Sequence, residues 1–178
     1  MDQLKGINIA ILVANGFEQV ELEKPREALD REGAKTIIIS PEKKVQGWNH
    51  ADKGDFFSTD VLLDKAQPDD YDALLLPGGV MNPDTLRTLP KAVDFVKKIN
   101  QRSKPIAAIC HGPWVLINAD AVKNRRITSW PSIKIDLINA GATWVDEAVV
   151  RDKNLVTSRK PGDIPQFNEA MIALFKST

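Results

Sequence analysis

Four short apolar runs stand out along the chain: residues 7–13 (INIAILV), 35–39 (KTIII), 72–76 (DALLL) and 105–109 (PIAAI). They are continuous rather than alternating, and rich in Ile, Leu and Val. That is the pattern of parallel strands covered on both faces. Between them lie stretches with helical spacing. Residues 18–32 place Val20, Leu22, Ala28 and Leu29 at such spacing and stop at Gly33, with Pro25 set to kink this helix or to begin its main part. Residues 84–101 repeat apolar positions from Leu86 to Ile99, and Pro90 divides them into a short helix and a longer one. Residues 111–118 and 132–140 are further helix candidates, the second ending at Gly141, and a last helix is expected over 163–175.

Strands alternating with helices predict an α/β domain with a mainly parallel sheet. Residues 42–60 are polar and read as a hairpin or flap at the sheet edge. Residues 143–158 read as two short strands joined by a turn at Asp152–Asn154. There is no internal repeat, linker or low-complexity segment, so one domain over 1–178 is expected.

Composition narrows the function classes. The chain has 24 Lys plus Arg and 24 Asp plus Glu, hence a formal net charge of zero. That disfavours non-specific DNA binding and anionic membrane surfaces. The apolar N-terminal run is too short to span a bilayer and lacks the flanks of a targeting signal, so a cytoplasmic location is expected. One cysteine excludes an internal disulfide, and two histidines leave little for a structural zinc site.

That cysteine, Cys110, is followed directly by His111, one of the two histidines. Random placement would do this about once in a hundred such chains. The segment KPIAAICHGPWV puts Cys110 where a buried strand turns into a helix. Ligands of open α/β sheets bind at that end of the strands, and the helix N-terminus favours a thiolate there. The bland alternative is a small buried hydrophobe. Two other strand ends point to the same crevice. The first is Pro77-Gly78-Gly79, where the amide of Gly79 suits an oxyanion donor or the turn is simply tight. The second is Asn15-Gly16-Phe17, after which Glu18 opens a helix; an acid there also complements the helix dipole. Neither a G-x-G-x-x-G fingerprint nor a P-loop is present.

The motifs A-I-C-H-G-P, L-L-L-P-G-G and G-F-E-x-x-E-x-x-x-P-R-E, with the later S-W-P-S-I-K-I-D-L-I-N-A-G-A and L-V-T-S-R-K-P-G-D-I-P-Q-F-N, resemble the PfpI group. That group lies within the superfamily that includes the Parkinson-associated deglycase. The resemblance runs from about Ile7 to Phe175. It implies a three-layer α/β sandwich, flavodoxin-like and shared with class I glutamine amidotransferases. It also implies roles. Cys110 is the nucleophile, and Glu18 is the acid touching its sulfur, protonated through burial. His111 is the neighbouring histidine. Asp84 is the acid that orients it across a subunit interface, and the amides of Gly79 and His111 form the oxyanion hole. A homodimer or hexamer is implied, with no metal and no organic cofactor. Trp114 and Trp130 depart from many relatives and either line and narrow the pocket or act as core or interface anchors. His50 matches no catalytic position and reads as surface.

Three functions follow. The first is a stress-related enzyme acting through a Cys110 thiolate on reactive dicarbonyls such as methylglyoxal, or on their protein or nucleotide adducts. The second is a cysteine peptidase with a Cys110–His111–Asp84 triad completed between subunits. The third is a redox-sensing stress or chaperone protein. A glutaminase is disfavoured because no histidine follows His111. The basic run Lys123–Arg126 reads as a solvated loop, and Arg159 with Asp163 as either a pocket pair or a salt bridge.

Overall fold

In a computed structural model, which describes residues 2–177, the chain alternates strands and helices as the pattern predicts. It begins with β1 (Asn8–Leu12), a two-residue β2 (Phe17–Glu18) and α1 (Gln19–Arg31), which runs unbroken through Pro25. Next come β3 (Lys35–Ser40), β4 (Lys44–Asn49), β5 (Asp52–Ser58), the short β6 (Val61–Leu62) and β7 (Ala73–Leu76). Pro90 divides α2 (Met81–Thr88) from α3 (Pro90–Gln101), and β8 (Ile106–Ile109) leads into α4 (Pro113–Asn118). The chain closes with β9 (Arg126–Ile127), α5 (Lys134–Asn139), β10 (Thr143–Trp144), β11 (Val149–Asp152), β12 (Leu155–Ser158) and α6 (Ile164–Phe175).

Seven strands form the central sheet in the order β11-β12-β8-β7-β1-β3-β6, and only β11 is antiparallel to its neighbour. The period-2 rule explains why the middle strands are apolar throughout. Ala10, Leu12, Leu74, Leu76, Ile106 and Ala108 enter a core with the side chains of α2 to α5. Their alternates Ile9, Ile11, Leu75, Ala107 and Ile109 enter a second core with Leu22 and Leu29 of α1 and Phe167 and Met171 of α6. Each strand therefore serves two cores, giving a three-layer sandwich with helices on both faces.

Residues 42–60 do form a hairpin, but it is not an edge of the main sheet. It pairs with β2 as a separate three-stranded sheet, β2-β4-β5. Its tip, carrying Trp48 and His50, reaches over the carboxyl ends of the central strands. The run Lys123–Arg126 is also not wholly a solvated loop. Arg125 is buried, and its guanidinium donates to the Asp152 carbonyl and to Asn154 Oδ1. Arg159 forms a salt bridge with Asp163 and a second with Asp146.

Candidate active site

Three strand ends meet at one point. β8 ends at Ile109, and Cys110 turns the chain with φ of 62°, in the left-handed region that disfavours a side chain. Backbone hydrogen bonds hold it there: Cys110 N–H donates to the Ser158 carbonyl at 3.0 Å, and Trp130 N–H donates to the Cys110 carbonyl at 2.9 Å. The turn leaves the sulfur against the loop that follows β7. In that loop Gly79 has φ of 73°, and a Cβ there would lie 2.5 Å from the Gly16 carbonyl oxygen and 2.6 Å from Glu18 N. Only glycine fits. Asn82, fully buried in α2, ties this loop to the end of β1. Its Oδ1 accepts the Ala14 N–H at 2.7 Å, and its Nδ2 donates to the carbonyls of Pro77 and Gly78 at 3.0 Å each.

The carboxyl beside the thiol belongs to Glu21, not to Glu18. Glu21 is fully buried, its Oε2 accepts the Gly78 N–H at 2.8 Å, and its side chain interacts with Cys110. Oε1 is buried without a regular hydrogen bond, which makes it the oxygen to carry a proton. Burial raises the Glu21 pKa from 4.5 to about 8, outweighing the opposing pull of the Gly78 N–H. Burial also pushes the Cys110 thiol up, as does negative charge on Glu21, while the backbone N–H groups of His111 and Gly79 pull it down. The correction has a simple cause. Glu18 belongs to β2, pairs with Trp48 and precedes the helix. Its carboxylate turns to the flap, where it accepts the His50 backbone N–H at 3.2 and 3.3 Å. Glu21 lies in the first turn of α1, on its buried side.

His111 is held within the chain on both nitrogens. Nδ1 lies 3.2 Å from Cys110 Sγ, and Nε2 lies 3.3 Å from Ser132 Oγ. Its ring stacks on Trp130 at 5.9 Å and meets the edge of Trp114 at 5.3 Å. Burial lowers its pKa. Asp84 is exposed in the first turn of α2, and among the described residues it makes no hydrogen bond to His111.

Cys110 opens into a cavity of about 370 Å³ whose walls are mainly apolar. Trp130 lines it, but Trp114 does not. The Trp114 indole N–H is drawn away to Asp136 Oδ2 at 2.8 Å, and Arg87 lies over its ring, so it braces the back of His111. Trp48 and Met81, which sequence reasoning missed, line the cavity, as does His50. Among the described residues, no group of three or more His, Cys, Asp or Glu is placed to hold a metal ion, and no helix is long and apolar enough to cross a membrane.

Residues 7–174 match the model of the DJ-1/PfpI family. The chain belongs to the DJ-1/PfpI family. It is 42% identical over 170 residues to a protein of Pyrococcus furiosus named deglycase PfpI, covering 96% of this chain and all of that one. An uncharacterized Staphylococcus aureus protein is 43% identical over 168 residues, covering 92% of this chain and 95% of its own. Among solved structures, Drosophila melanogaster DJ-1beta superposes with a TM-score of 0.86 at 26% identity, covering 97% of this chain and 91% of that one. The DJ-1/PfpI fold thus places Cys110, His111, Gly79 and Glu21 together, keeps Glu18 at the rim, and leaves Asp84 outside the site of a single chain.

Proposed function

We propose that the protein is a cytoplasmic, stress-related cysteine hydrolase acting on reactive dicarbonyls or on their adducts with protein or nucleotide amines and thiols. The observation that carries this reading is a fully buried carboxyl packed against the only thiol at the floor of an apolar cavity. The deglycase names of the Pyrococcus relatives support it.

With methylglyoxal, Cys110 Sγ bonds to the aldehyde carbon, and His111 Nδ1 takes the thiol proton. Glu21 gives its proton to the carbonyl oxygen, leaving a hemithioacetal and a carboxylate. The N–H groups of Gly79 and His111 stabilise negative charge on that oxygen as it develops. Glu21 then takes a proton from the former aldehyde carbon and returns it to the neighbouring carbon, while the proton on the first oxygen passes to the second. The first carbon is oxidised to a thioester while the second is reduced to an alcohol, so no outside oxidant or reductant enters. Water cleaves the thioester, releasing lactate and restoring the thiol. From an adduct, Cys110 Sγ displaces the amine or thiol at the carbinol carbon, the leaving group takes up the proton that His111 removed from the thiol, and the same hemithioacetal goes on to lactate.

Cys110→Ala and Cys110→Ser should abolish lactate formation from methylglyoxal by purified protein. Turnover unchanged in either variant would refute the reading. A peptidase is the second reading, favoured by the 3.2 Å approach of Nδ1 to Sγ. It needs an acid on His111, and within the chain Nε2 meets the neutral Ser132 instead. Asp84 of a second copy would have to supply it. Val80 and Met81, exposed at 55% and 45% just before Asp84, give such a copy an apolar face to cover. Peptidase activity would therefore fall on dilution to monomers, with loss of a fluorogenic peptide signal as the readout.

A further inference from the structure

Glu18 has no place in the chemistry above, yet it lines the cavity with Cys110. Its surroundings define a kind of ligand. The indoles of Trp48 and Trp130 line the same cavity, and among the described residues no lysine or arginine does. Among the described residues, the one basic group within ion-pair distance of the carboxylate is the His50 imidazole, whose Nδ1 is 3.8 Å from Oε1 and whose side chain is 87% exposed. A backbone N–H from His50 uses only part of the accepting capacity of a carboxylate. Besides Glu21, which is fully buried and takes the Gly78 N–H, Glu18 is the one carboxyl group that lines the cavity among the described residues. Two indoles and a carboxylate around an apolar space are the chemistry that recognises an alkylated cation.

We propose that Glu18, Trp48 and Trp130 form a cation subsite at the cavity mouth, which selects carbonyl compounds carrying an ammonium or guanidinium group over neutral or carboxylated ones. This rests on the carbonyl-enzyme reading for its meaning. It specifies that reading further: the preferred substrates are dicarbonyl adducts presented near a basic side chain, with the aliphatic stem along the indoles and the charge at Glu18. The same wall disfavours carbonyl acids, because two carboxylates would share a poorly solvated mouth.

The test separates binding from turnover. Cys110→Ala protein is titrated calorimetrically with butylguanidinium and with butylurea, which match in shape and differ in charge. Guanidinium should bind about tenfold tighter than urea. Adding Glu18→Gln, which keeps an acceptor for the His50 N–H, should bring the ratio close to one. Adding Trp48→Leu instead should weaken guanidinium more than urea. Thermal melts identify any variant that has lost its fold. If Glu18→Gln does not fold, the salt response of the intact site decides: the guanidinium preference must shrink as salt rises. Equal binding of the two ligands, or a ratio unchanged by Glu18→Gln or by salt, overturns the subsite. Because the thiol is absent throughout, these outcomes are independent of whether wild-type protein turns over methylglyoxal.

Discussion

Replacing Glu21 by Gln isolates the proton on which the proposed chemistry depends. Gln has nearly the same shape, accepts the Gly78 N–H through its carbonyl and cannot ionise. In the native chain the Glu21 pKa rises from 4.5 to about 8, chiefly through burial. Between those pH values the folded state holds one proton that the unfolded state has released. Stability must therefore fall as pH rises, with a slope of about −1.4 kcal/mol per pH unit. The contribution is fully present below pH 4.5 and lost through about pH 8, integrating to on the order of 5 kcal/mol. His111 works with the opposite sign. Its lowered pKa makes folding less favourable as pH falls through its unfolded value. That effect is common to wild type and variant and cancels in their difference. The assay is urea unfolding from about pH 5 to pH 8.5. The wild type minus Glu21→Gln difference should slope downward by about 1 kcal/mol per pH unit. Cys110→Ala should keep the slope, because burial rather than the sulfur is the principal cause. A flat difference, or a slope lost in Cys110→Ala, would refute the reasoning.

Two further outcomes follow from the packing. Asn82→Ala removes three buried hydrogen bonds and strands the Ala14 N–H, so urea unfolding should show a loss of about 2–4 kcal/mol. Ser132→Ala frees His111 Nε2 at an exposed position, so it should lower kcat several-fold while costing under about 1 kcal/mol in stability; Ser132→Thr should restore most of the rate.

The legible part of the sequence was the part with a strong periodic signal. Strands buried on both faces must be apolar at every position, so β1, β3, β7 and β8 announce themselves as continuous runs. Strands of two residues, such as β2, β6 and β9, carry no period and were invisible. The flap was readable as a hairpin, but its partner β2 was not, so its place over the cavity could not be foreseen. α2 starts at Met81, three residues before the position its apolar spacing marks, because Asn82-Pro83 has the composition of a loop. Asn82 earns its helical place through hydrogen bonds to distant backbone. For Glu21 a signal was available. Glu21, Pro25 and Leu29 recur every four residues on one side of α1, and all three are buried. An acid on an apolar stripe is seldom there for packing, and it marks a candidate site more sharply than Glu18, which obeys the rule for helix starts.

The pairing of Glu21 with Cys110 also explains why the sulfur sits on a strained turn. A left-handed φ at a non-glycine residue costs about 1–2 kcal/mol, and a relaxed Cys110 would point elsewhere. In its strained position the sulfur is met by the N–H groups of His111 and Gly79 and by the Glu21 carboxyl. Two acids in one buried place cannot both ionise, since each negative charge raises the pKa of the other. The pair therefore gives up one proton before the second becomes very hard to remove. If that single charge rests on sulfur, the Glu21 proton and the two amides all donate to it, and the thiolate is stabilised without any cationic partner. If it rests on Glu21, only the Gly78 and Gly79 N–H groups and the thiol oppose its burial. The donors around the sulfur thus lower the cost of the thiolate that forms when His111 takes the thiol proton, while Glu21 is still a neutral carboxylic acid. That is the protonation state an attack on an aldehyde requires, with the nucleophile bare and the acid already at hand for the oxygen that becomes negative.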